Sequence, residues 1–111
     1  MPATVVTAPA NTVAKVSDDV KITCVAVGNL PIQLAWFNGS RKMRNNSRVT
    51  IKSSVEKEYY RVNGSLHIQK LLLQDTKQYS CRVTNEFGSD TKPFQITVQG
   101  KKLSKLFSEV R

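Results

Sequence analysis

Acidic residues are scarce in this chain: eight Asp and Glu stand against 17 Lys and Arg, for a net charge of +9. Histidine occurs once and cysteine twice, at Cys24 and Cys81. One imidazole cannot build a multi-histidine zinc site, and two cysteines so far apart do not form a zinc ribbon. Long apolar runs are missing too. No purely aliphatic run exceeds three residues, as in Leu71-Leu72-Leu73, so no membrane span is expected. No charged-then-apolar leader precedes residue 20, so no signal peptide is expected and the chain reads as an excised module. What is present suffices for one core. At 111 residues, 40% apolar and 23% charged, the chain has the length of a single domain and enough apolar surface to fold.

The apolar residues recur with a period of two. Val20, Ile22, Cys24 and Ala26 alternate with Lys21, Thr23 and Val25. Ile32, Leu34 and Trp36 alternate with Gln33 and Ala35; Val49 and Ile51 with Thr50 and Lys52; Leu66 and Ile68 with His67 and Gln69. Tyr79, Cys81 and Val83 follow the same rule, as do Phe94, Ile96 and Val98. Each set places apolar side chains on one face of a half-buried strand.

Turn signals divide these runs. Pro9 separates a first strand, 5–8, from a second piece, 12–16, and requires an edge position. Asn29 to Pro31, Asn38-Gly39, Asn63-Gly64 and Asn85 to Gly88 mark further breaks, with Asn38-Gly39 favouring a tight hairpin. Many short strands at this spacing predict an all-β fold, an antiparallel sandwich or barrel. The domain is expected over residues 1–98, followed by a basic tail over 99–111. In that tail Leu103, Leu106, Phe107 and Val110 fall on one helical stripe, too short for an isolated helix, so a linker is expected.

Cys24, Trp36, Tyr79 and Cys81, with Leu66, Ile68, Leu71, Asp75, Val83, Asn85 and Gly88 in register, carry a resemblance. Over about residues 4–98 the chain resembles an I-set immunoglobulin domain, with the Gly28 to Pro31 segment standing before Trp36 as in that family. Lys77, Leu30 and the Ser17-Asp18-Asp19 turn depart from the family pattern and bear on local loop shape. The resemblance implies a two-sheet antiparallel sandwich with Greek-key connections. It implies that Cys24 and Cys81 face each other as a disulfide, with the indole of Trp36 packed on their sulfurs. Such a cross-link is worth roughly 4 kcal/mol in the chain-entropy model. Tyr79 is implied to bury its ring and to bond a backbone group through its hydroxyl. These four residues are core rather than site.

Catalytic chemistry finds no support in the sequence. His67 alternates with Leu66 and Ile68 and so points away from the core. No glycine-rich loop opens a helix to cradle phosphate, and no carboxylate cluster suggests calcium. Asp75 is expected to cap its own turn. No enzyme activity, metal or cofactor is expected.

Binding is the remaining class. Between positions 41 and 52 stand Arg41, Lys42, Arg44, Arg48 and Lys52, with no acidic residue among them. A hairpin after Trp36 and the next strand are expected to present them along one edge, able to attract a polyanion such as heparan sulfate, an acidic protein, F-actin or anionic lipid. Nucleic acid is disfavoured, because the stretch holds no stacking aromatic and no recognition helix. Three N-glycosylation sequons begin at Asn38, Asn45 and Asn63. Asn38 and Asn63 precede glycine and read as turns, which leaves Asn45 as the clean position for a glycan. A glycan there competes with polyanion binding. Leu30, Phe37, Tyr59, Phe87 and Phe107 are the apolar residues least explained by the core pattern, and one of Tyr59 and Tyr60 must face outward. The resulting expectation is a recognition or adhesion module of a modular cell-surface or secreted receptor. Its partners would be a protein ligand, neighbouring immunoglobulin domains or a polyanion. The cysteine pair and sequons favour an extracellular setting. The alternative is a cytoplasmic, cytoskeletal domain of the muscle type, with reduced cysteines and an actin-facing basic stretch.

Overall fold

The computed structural model describes residues 1–100; the helical stripe expected from residue 101 lies outside them. The strands are β1 (Thr4–Thr7), β2 (Thr12–Lys15), β3 (Val20–Val27), β4 (Gln33–Asn38), β5 (Arg41–Lys42), β6 (Val49–Glu56), β7 (Arg61–Ile68), β8 (Lys77–Asn85) and β9 (Gly88–Gln99). They form two sheets, β1-β3-β7-β6 and β2-β9-β8-β4-β5. From β3 onward the chain crosses between sheets after β3, β5 and β7, which is the Greek-key order of an immunoglobulin-like sandwich.

The alternation seen in the sequence becomes burial. On β3, Val20, Ile22, Cys24 and Ala26 are buried while Lys21 and Thr23 are exposed. On β7, Val62, Gly64, Leu66 and Ile68 point inward. Tyr79, Cys81 and Val83 of β8 and Phe94, Ile96 and Val98 of β9 complete the core from the other sheet. Both sheets thus contribute one apolar face to a common interior.

Pro9 sits where the first strand changes sheets. β1 pairs antiparallel with β3, whereas β2 pairs parallel with β9. A proline cannot donate to either ladder, so the switch falls there. Pro93, opposite Ser80, lies ahead of the stretch of β9 that β2 flanks, and its missing N–H costs no ladder bond.

The tight hairpin expected at Asn38-Gly39 forms, and the turn expected at Asn63-Gly64 does not. The β4–β5 hairpin closes through Gly39 and Ser40, because Asn38 still pairs with Arg41, and only Gly39 takes positive φ (60°). Asn63-Gly64 is no turn: both lie mid-strand in β7, opposite Val25 and Cys24. Leu34 of the other sheet fills the space beside Gly64, with Cδ2 2.6 Å from where a Cβ would stand, so any larger residue there has to displace that leucine. The true turn between β6 and β7 comes earlier, over Lys57–Tyr59 with Tyr60 left-handed (φ 51°), so Tyr59 and Tyr60 are both exposed. β6 reaches this turn through Lys52 to Val55, which are exposed on an edge and carry no alternating signal.

Candidate functional site

Cys24 on β3 and Cys81 on β8 are joined across the sheets, with S–S 2.09 Å and Cα–Cα 6.6 Å. Trp36 of β4 is the cross-strand neighbour of Cys81 and is 1% exposed. Its ring and that of Phe94 meet edge to face at 5.8 Å, and Phe94 stacks on Tyr79 at 5.7 Å. The Trp36 Nε1 finds no hydrogen-bond partner, the one buried side-chain donor so placed among the described residues. The Tyr79 hydroxyl donates to the Asp75 carbonyl at 2.6 Å. Burial, reinforced by the nearby Asp75 carboxylate, pushes the Tyr79 phenol up to about 12.

Above Tyr79 lies an open cleft of about 610 Å³. Arg41, Lys42, Arg44 and Arg48 all line it, with Asn38, Asn45 and Asn46. Four of the five basic residues from the sequence therefore converge. Lys52 does not join them. It projects from β6 beside Ser65 of β7, with Lys21 and Thr23 on the same outer sheet face. The strand between Val49 and Lys52 carries it around the edge of the sandwich.

The four cations are not equivalent. Arg48 is engaged: its Nη1 and Nη2 donate to the two Asp75 carboxylate oxygens at 2.9 and 3.2 Å, and Nη1 reaches the Gln69 and Lys70 carbonyls. No local pattern in the sequence signals this partnership, since the two residues lie 27 positions apart. Burial alone raises the Asp75 carboxyl, but hydrogen bonds from Arg48 and from the Leu72 N–H outweigh it and hold the group below its ordinary value. The Asp75 carboxylate also caps its own turn through that Leu72 N–H at 2.8 Å. Arg41 and Lys42 of the short β5, and Arg44 after it, have no ion-pair partner among the described residues. The cleft presents three free cations over an arginine already neutralised.

Two of the three sequon asparagines, Asn45 and Asn63, have structural duties, as does the neighbouring Asn46. Asn45 Oδ1 accepts from the Ile51 N–H at 2.6 Å, and Asn46 Oδ1 accepts from the Arg48 and Val49 N–H groups. Asn63 Nδ2, the atom a glycan would occupy, donates to Glu56 at 2.7 Å. Asn38 is half-buried in β4, whereas Asn45 is exposed.

Of the apolar residues left over by the core pattern, Leu30 packs on the core and Phe37 is half-buried, while Tyr59 and Phe87 are exposed. Phe107 lies outside the described residues. His67 sits on the outer face of β7 opposite Lys21 and Thr50. Among the described residues no three of His, Cys, Asp and Glu come together, and no helix is long and apolar enough to cross a membrane.

Two sheets closed by a disulfide, a buried tryptophan and a tyrosine bonded at its turn define an immunoglobulin-class sandwich. The Immunoglobulin I-set domain family matches residues 3–98, and the chain belongs to that family. It is similar to human Leucine-rich repeats and immunoglobulin-like domains protein 1, 27% identical over 86 residues that make up 78% of this chain and 7% of that protein. Human Peroxidasin homolog is 32% identical over 97 residues, 86% of this chain and 6% of that protein. Mouse Myopalladin is 27% identical over 84 residues, 73% and 6% respectively. The chain thus spans less than a tenth of the length of these relatives. A solved complex of titin M10 with an obscurin-like 1 immunoglobulin domain superposes with a TM-score of 0.79 at 19% identity, covering 89% of this chain and 95% of the other. That likeness is one of fold.

Proposed function

We propose that this domain is a non-catalytic recognition module of a modular cell-surface or secreted protein, and that it binds polyanions such as heparan sulfate through Arg41, Lys42 and Arg44. One observation carries this reading. These three cations line one cleft without ion-pair partners among the described residues, and the carboxylate beneath them is already bound by Arg48. A field of one sign at an open edge attracts sulfated or carboxylated chains. The disulfide favours an oxidising compartment. Asn45 is the sequon position open to a glycan, because its side chain is exposed while Asn63 Nδ2 is occupied by Glu56. A glycan there and a polyanion compete for the same cleft, so polyanion binding belongs to the unglycosylated form. Protein ligands and neighbouring immunoglobulin domains are the further partners of such a module.

The test is salt elution from immobilised heparin. Arg41→Ala/Lys42→Ala/Arg44→Ala should elute at clearly lower salt than the wild type. Unchanged elution removes polyanion binding from the function. A second reading, a cytoskeletal module in a muscle-type protein, is favoured by the similarity to Myopalladin. Under that reading the same three cations face F-actin, and cosedimentation with actin rather than heparin retention is lost in the triple variant.

A further inference from the structure

We propose that the free edge of β6 is a self-association surface, on which two copies of the chain pair their β6 strands antiparallel about Ser54. This surface is separate from the basic cleft and does not depend on polyanion binding. The first half of the edge is closed within the chain. The Val49 N–H is bonded by Asn46 and the Ile51 N–H by Asn45, both from the preceding loop. Outward-facing backbone groups recur every second residue, so the next ones belong to Ser53 and Val55. Among the described residues nothing bonds their N–H groups on this side. The β6–β7 ladder runs from Val49 to Glu56 without a register shift, and no proline or bulge blunts its end. The edge strands β1 and β5 are shorter, at four and two residues.

The residues around Ser54 are complementary to themselves. In Lys52-Ser53-Ser54-Val55-Glu56 the cation and the anion lie two positions either side of the centre. Pairing Ser54 with its own copy sets Ser53 against Val55, whose outward N–H and C=O groups then bond reciprocally. It also sets Lys52 against Glu56 on one sheet face, twice by symmetry. Ser54 meets Ser54, which is small enough for close approach. The exposed Val55 side chain covers Ser53 of the other copy on the inner face. Only an antiparallel two-fold arrangement does this; a parallel one sets like charges together. The segment is short, so the contact is weak and concentration-dependent.

Sedimentation equilibrium of the 111-residue chain, from micromolar to millimolar at moderate salt, should show mass rising from 12.4 kDa toward the dimer. Lys52→Glu sets like charges opposite on both sides and should weaken association about tenfold or more. An equimolar mixture of Lys52→Glu and Glu56→Lys restores opposite charges and should associate more tightly than either variant alone. Ser53→Pro removes an outward N–H without losing a ladder bond and should abolish dimerisation. Ser53→Pro and Lys52→Glu keep the test decisive should Glu56→Lys, which loses Arg61 and Asn63, fail to fold. A wild type that stays monomeric overturns the proposal, as does a Ser53→Pro chain that associates like wild type.

Discussion

Arg48 grips Asp75 with both terminal guanidinium nitrogens, at 2.9 and 3.2 Å, and so ties the start of β6 to the turn that precedes β8. The same Asp75 supplies the carbonyl that accepts the Tyr79 hydroxyl. A basic residue that the sequence offers to a ligand is thereby fixed to the fold.

Arg48→Met should destabilise the domain by about 1–3 kcal/mol, because it leaves a largely buried carboxylate without its main partner. The acid limb gives a second readout. Asp75 is held below its ordinary value of 3.8, so its stabilisation is complete above that pH and disappears as pH falls through the lower folded value. Urea midpoints measured from pH 6 to pH 2 should show this acid loss in the wild type and a shallower one in Arg48→Met. Equal slopes contradict the assignment.

Tyr79 predicts the opposite limb. Its folded value near 12 lies above the ordinary 10.0, so the stabilisation is fully present below pH 10 and is lost as pH rises toward 12. Tyr79→Phe should flatten that alkaline loss. It should also lower stability near neutral pH by about 1 kcal/mol through the missing bond to the Asp75 carbonyl. Chemical denaturation at pH 7 and at pH 11 checks both.

Gly28 follows β3 with φ 151°, and a Cβ there would stand 2.9 Å from the Pro2 carbonyl oxygen. Both the backbone conformation and the neighbour resist a side chain. Gly28→Ala should lower the urea-derived stability by about 1–3 kcal/mol. A neutral result shows that the N-terminal segment yields freely.

Cys24→Ala/Cys81→Ala should lose about 2–5 kcal/mol, the usual effect of removing a native disulfide from a small domain. Denaturation of the variant, and of the wild type with and without reductant, measures it. A loss below about 1 kcal/mol, short of the usual range, shows that packing around Trp36 alone holds the two sheets.

For heparin retention, individual alanine changes at Arg41, Lys42 and Arg44 should each shift elution to lower salt. Lys52→Ala should shift it little, because Lys52 stands on the outer face of the other sheet. Equal shifts at all four positions show that overall charge, not the cleft, governs binding.

The sequence by itself determined the sandwich. Alternation on β3, β8 and β9 states which face is buried, and the positions of Cys24, Trp36, Tyr79 and Cys81 identify the family. It also located the run of cations. Only the tertiary structure decided which of them are free. Pairing of Arg48 with Asp75, and the separation of Lys52 from Arg41, Lys42 and Arg44, depend on contacts between segments far apart in the chain, and periodicity along one strand says nothing about such contacts. The same holds for Asn63-Gly64. A turn-forming dipeptide lies inside β7 because Leu34 from the opposite sheet needs the room, and packing between layers overrides local preference.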